Sequence, residues 1–132
     1  MINRDIVLRW TQELAKVISK LLGKETEEAL EIIDDALADQ LELDPSQLAQ
    51  MTQKELINYL VNDRQLSLPQ IEFVGNLFYE RAMQMRTTKE LYEWNPYFAK
   101  AYILLNHVQN NADTYSLDRQ QKLKTIQTCL QS

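Results

Sequence analysis

NRDIVLRWTQELAKVISKLLG, residues 3–23, decides the fold class. Val7, Trp10, Leu14, Val17, Ile18 and Leu21 recur at three- and four-residue spacing, and Asp5, Arg9, Glu13, Lys16 and Lys20 follow the other face, the pattern of a helix buried along one stripe. Asn3 is the residue type that caps a first turn, Asp5 suits the positive end of the helix dipole, and Gly23 supplies a left-handed stop. Six to eight buried apolar side chains at roughly 1.5 to 3 kcal/mol each are a gross gain of about 10 to 20 kcal/mol. Only neighbouring helices can realise that gain, so this stretch is expected to organise the rest of the chain.

Composition extends the inference to all 132 residues. With 45% apolar residues the chain is long enough for one core and short for two. Two Gly and three Pro leave little material for hairpin turns, while Leu, Gln, Glu, Ala and Lys favour helix. The expectation is an all-α, single-domain bundle (1–132) of antiparallel helical hairpins, with about seven to eight helices. Residues 1–64 would form an N-terminal hairpin plus two short helices, and 65–132 a C-terminal hairpin plus a capping helix. A single cysteine excludes an internal disulfide, residues 1–5 lack the basic start of a secretory leader, and no apolar run approaches the ~20 residues that span a bilayer. A cytoplasmic protein is expected.

Charge is divided unevenly. Residues 1–24 carry five Lys/Arg against two Asp/Glu, residues 25–63 one against eleven, and residues 64–132 eight against six. A strongly acidic third argues against nucleic acid as partner and for a basic one, including the chain's own first helix.

Local signals place the remaining helices. Thr26 is expected to cap the second, with Leu30, Ile33, Leu37 and Leu41 as its stripe; Glu27, Glu31, Asp34 and Asp35 crowd that helix and call for cations, for which Arg9, Lys16 and Lys20 are the candidates. Capping boxes at Asp44-Pro45-Gln47 and at Thr52/Glu55 announce two short helices. Ser67 before Pro69 starts a long one with Gly75 at a close approach, and it ends at Thr87-Thr88. Asn95 and Pro96 are read as a cap and first-turn proline that restart the chain. Ser116 opens the last helix.

Arg4-Asp5-Ile6-Val7-Leu8-Arg9, Leu14-Ala15-Lys16 and Leu21-Leu22-Gly23-Lys24, followed by Glu28-Ala29-Leu30, Ile33-Asp34, Ala36-Leu37, Leu48, Met51-Thr52 and Glu55-Leu56, resemble a family of small bacterial helical proteins catalogued as a domain of unknown function. Members are similar to tetratricopeptide-type hairpins in their later part. The resemblance covers the first half of the chain and implies an interaction scaffold with no catalytic residues to carry over. Ala29, Ile33 and Ala36, and Gly75 with Phe78, match tetratricopeptide spacing. With Pro96 as the closing proline, Tyr102 and Leu105 match too, whereas Asn106 and Asp118 stand where small residues belong.

Candidate chemistry is sparse. His107 is the sole histidine and has no partner at metal-ligand spacing; Cys129 has no second thiol or histidine nearby in sequence, and both fit ordinary structural roles. Residues 47–60 mimic a helix-turn-helix but carry one basic residue, Lys54, in acidic surroundings. Tyr92, Trp94, Tyr97 and Phe98 around Pro96 fit either packing of a helix junction or an exposed patch lining a groove. No catalytic residue, cofactor or metal ligand is assigned. The leading expectation is a protein–protein interaction module binding a protein or peptide, one with basic residues included, or a second copy of itself, through Tyr92, Trp94 and Tyr97 with steering by Glu27, Glu31, Asp34 and Asp35. The rivals are an enzyme or metal-binding protein without a recognisable motif, and a peripheral membrane role for the first helix.

Overall fold

A computed structural model of the chain describes residues 4–131. The cap assigned to Asn3 lies outside the described residues. Seven α-helices follow in order: α1 (Arg4–Leu21), α2 (Thr26–Leu41), α3 (Pro45–Gln50), α4 (Gln53–Asn58, continued by a π-turn Tyr59–Asp63), α5 (Leu68–Arg86), α6 (Leu91–Asn111) and α7 (Leu117–Gln131). The protein is all-α, 83% helical, and the described residues contain no strand.

The centre of the bundle is α5, not α1. Ile71, Phe73, Val74, Leu77, Phe78 and Ala82 of α5 are all buried, because α1, α2 and α6 each pack on a different part of its surface. In α1 only Trp10, Val17 and Leu21 are buried; Leu14 and Ile18 are partly so, and Ile6, Val7 and Leu8 are exposed. The α5–α6 pairing is the closest in the fold. A Cβ at Gly75 would stand 3.0 Å from Leu105 Cδ2 and 3.2 Å from Leu104 Cβ, so the glycine lets α6 approach where any side chain would hold it off.

Several ends form as their residues dictate. Gly23 turns the chain at φ +74. Thr52 and Glu55 close a reciprocal capping box, Ser67 does so with Gln70 at the start of α5, and Ser116 Oγ accepts the Arg119 amide. Asp44 caps α3 by accepting from Ser46 N at 3.0 Å, with Pro45 in the first turn; the reciprocal bond expected from Gln47 is not formed.

Others differ from the sequence expectation. Glu25, not Thr26, occupies the N-cap of α2 and makes no side-chain cap bond. The Thr26 hydroxyl is instead bonded to Thr88 Oγ1 at 3.1 Å, tying α2 to the α5–α6 loop. Two helix ends turn left-handed without glycine, at Glu42 (φ 54) and Gln65 (φ 52). In each the next amide reaches back six residues, Leu43 to Leu37 at 3.2 Å and Leu66 to Leu60 at 3.0 Å, the closure that otherwise favours glycine.

The chain does not restart at Pro96. Helix α6 begins at Leu91 behind a Glu90/Glu93 capping box and runs through the proline. Proline has no N–H for the Tyr92 carbonyl one turn back, and its ring crowds that oxygen. Tertiary packing of Trp94, Tyr97 and Phe98 outweighs that local cost. Pro96 is itself exposed, so Pro96→Ala restores a hydrogen bond without touching the core. The substitution is expected to raise stability by about 1 to 2 kcal/mol after allowing for the freer unfolded chain, read as a higher urea midpoint at unchanged m-value.

Candidate functional site

Of the residues singled out by sequence, Glu27, Asp34 and Tyr97 come together where α2 packs on α5 and the α5–α6 loop, while Glu31, Asp35 and Tyr92 are exposed. The acidic residues were expected to draw cations from Arg9, Lys16 and Lys20 of α1, but Lys16 pairs with Glu13 on its own helix. The cations come from later in the chain. Lys89, in the α5–α6 loop, meets Glu27 at 2.6 Å; its hydrogen bond and charge hold the Glu27 carboxyl below the ordinary range, and Glu27 raises the lysine in turn. Arg81 Nη1 of α5 bonds Asp34 Oδ1. Burial pushes the Asp34 carboxyl up and outweighs the pull of Arg81. At the far end Arg64 donates to the carbonyls of Leu41 (2.7 Å) and Glu42 (3.2 Å), capping a helix that has no basic residue in its own last turn.

The aromatic residues divide by depth. Phe98 is fully buried. Trp94 stands edge-on to it at 5.6 Å with the Arg86 guanidinium 5.3 Å from its own ring. Tyr97 packs against Phe78 at 5.9 Å, with Arg81 4.8 Å and the Lys100 ammonium 5.7 Å from its centroid. Arg81 Nε has no hydrogen-bond partner; the π-face beside the guanidinium partly compensates it. Lys100 donates to the Ala49 carbonyl at 2.6 Å and so fastens α6 to the last turn of α3. Burial lowers its tendency to hold a proton. Trp94 and Tyr97 are thus half-buried and packed on the core, whereas Tyr92 is 76% exposed and its neighbour Leu91 52%.

Lys89 is paired with Glu27 in the first turn of α2, and the exposed Leu91 and Tyr92 follow it by two and three residues. Glu28, Glu31, Asp35 and Asp39 run along the exposed side of α2 at helical spacing, and among the described residues none has a salt-bridge partner. The molecule thus exposes an apolar pair at the start of α6 and a run of carboxylates along α2.

A separate cleft opens between α1 and α7 over α5, away from every residue the sequence singled out for docking. Its volume is about 250 Å³. Beside it Arg119, 4% exposed, donates from Nε to Gln109 Oε1 (2.7 Å), from Nη1 to Glu72 Oε2 (2.7 Å) and from Nη2 to the Thr114 carbonyl (3.0 Å). Burial raises the carboxyl of Glu80, on the same side of α5. Among the described residues no group of three His, Cys, Asp or Glu is placed as a metal site would need, and no helix is long and apolar enough to cross a membrane. No family model, curated protein or solved structure matches this chain.

Proposed function

We propose that the protein is an interaction module that docks a basic, apolar-bearing peptide segment of another protein on the face made by α2 and the start of α6. The observation that carries the reading is the exposure of Leu91 and Tyr92 together, just after Lys89, whose ammonium pairs with Glu27 at the start of the acidic helix α2. Tyrosine contributes a large contact area with few rotors to fix. The carboxylates of α2 draw a cationic segment toward them and set its orientation more than they add affinity.

The test is direct binding, by fluorescence anisotropy, of labelled helical peptides of equal length: one with Lys and Leu, one with Glu and Leu, one with Lys and Ala. The Lys/Leu peptide is expected to bind most tightly and to weaken as salt rises. Tyr92→Ala is expected to weaken it about tenfold, near 1.4 kcal/mol, with stability changed by no more than about 0.5 kcal/mol. Tyr92 is the cleaner probe than Trp94, whose truncation would also remove the edge contact to Phe98. Equal binding of the Glu/Leu peptide, or no effect of Tyr92→Ala, would remove this face from consideration.

A further inference from the structure

The cleft between α1 and α7 shares no lining residue with the α2–α6 face, and its chemistry is different. At about 250 Å³ it exceeds the ~150 Å³ of a cavity that admits benzene. One wall is apolar, with Val7, Trp10 and Leu14 from α1 and Phe73 from α5; the Trp10 and Phe73 rings lie 5.1 Å apart. The other wall is polar, with Glu72 and Asn76 from α5 and Asp118 from the first turn of α7.

The polar wall is defined by which of its groups are already committed. All three guanidinium nitrogens of Arg119 donate within the protein. The Lys122 ammonium is bonded to Asn76 Oδ1, 3.1 Å from Asp118 Oδ2 and 5.5 Å from the centre of the Tyr79 ring. Asn76 Nδ2 donates to the Glu72 carbonyl at 2.8 Å. Arg9 is stacked on Trp10 at 5.0 Å and does not line the cleft. Acceptors remain: among the described residues Glu72 Oε1 and Asp118 Oδ1 receive no hydrogen bond, and the Thr11 hydroxyl, which donates to the Val7 carbonyl, keeps its lone pairs. An occupant that leaves nothing unpaired must bring donors to that wall and an apolar body to the other. A carboxylate or phosphate would face two carboxylates with every neighbouring cation engaged.

We propose that this cleft binds a primary ammonium carried on a short apolar stem, supplied by a free alkyl- or arylalkylamine or by the lysine side chain of a peptide. The stem lies against Val7, Leu14 and the two rings, and the ammonium donates to the open oxygens of Glu72 and Asp118. Because Arg119 and Lys122, behind the lining, already offset the charges of Glu72 and Asp118, selectivity rests on hydrogen-bond donation more than on net attraction.

The test follows backbone amide resonances while the intact chain is titrated with 2-phenylethylamine, 2-phenylethanol and 3-phenylpropionate. The amine is expected to shift the amides of Trp10, Phe73, Asn76 and Asp118 and to bind at least about tenfold more tightly than the alcohol, a difference near 1.4 kcal/mol, while the carboxylate leaves them in place. Asp118→Asn should weaken the amine several-fold. Val7→Trp, at an exposed lip, should fill the cleft and abolish those shifts while the thermal midpoint holds. A blocked Leu-Lys-Leu peptide against its acetyl-lysine counterpart separates the sources: tighter binding of the lysine peptide than of the free amine assigns the site to a peptide, and the reverse to a small amine. Equal binding of amine and alcohol, the same shifts with the carboxylate, or undiminished binding by Val7→Trp would overturn the proposal.

Discussion

Phe98→Ala is expected to lower stability by about 3 to 5 kcal/mol, the largest loss for a single truncation considered in this chain. Phe98 is fully buried and holds two aromatic neighbours, Trp94 at 5.6 Å and Tyr79 at 5.9 Å, in edge-on and tilted contact. Those arrangements add to the burial of its own surface. Helices packed as closely as α5 and α6 cannot collapse into the space left, because Gly75 has already brought α6 to within van der Waals distance. For a domain of this size the loss corresponds to a fall of roughly 10 to 20 °C in the thermal midpoint. Trp94 emission should move as well, since its edge contact disappears. A midpoint within about 1 kcal/mol of the parent in urea would show that the α5–α6 hairpin is not where the core is concentrated.

That expectation runs against the first impression given by the sequence, and the reason is physical. Periodicity detects contrast between faces, and contrast is greatest in a helix with only one side covered. Helix α1 lies at the edge, so Arg9, Glu13, Lys16 and Lys20 alternate cleanly with Trp10, Val17 and Leu21. Helix α5 is covered on several sides, so the consecutive residues Phe73, Val74, Gly75, Asn76, Leu77 and Phe78 are all buried and the stripe blurs. The most legible helix was therefore a peripheral one. Ends written locally, at Thr52, Ser67, Ser116 and Gly23, were legible because every partner lies within a few residues.

Features that depend on distant chain were not legible. Glu42 and Gln65 turn left-handed although neither is glycine, and Arg64 caps a helix more than twenty residues away. Pro96 misled for the same reason: its local preference to start a helix lost to the packing of the aromatic residues around it. The acidic helix was correctly expected to need cations. Sequence proximity pointed to α1, whereas Arg81 and Lys89 supply them, because α2 packs on α5 and its outgoing loop. Of the residues expected to dock a partner, Tyr92 is exposed, while Trp94 and Tyr97 are half-buried and packed on the core.

Arg119 left no trace in the sequence, and its substitution carries the second large expected effect. Arg119→Met should cost about 2 to 4 kcal/mol. The methionine keeps much of the stem's packing, so the loss arises from the partners. Glu72 would keep a carboxylate beside the core without its 2.7 Å donor, and Gln109 Oε1 and the Thr114 carbonyl would each lose one. Breaking a buried pair from one side costs more than the pair itself contributes, because the remaining charge is left poorly solvated; Glu72 is 29% exposed on its side chain, which keeps the figure below that of a fully enclosed ion. Glu72→Gln is the informative contrast. Its amide oxygen can still accept from Arg119, and the guanidinium retains two other acceptors, so a loss of only about 1 to 2 kcal/mol is expected. The double variant, Arg119→Met with Glu72→Gln, should recover part of the single-variant loss, since residue 72 then no longer carries a charge stripped of its partner. Urea midpoints for the three variants decide the matter: full additivity would mean that the α5–α7 joint is held by apolar packing around Leu123 and Ile126, with the polar network contributing little.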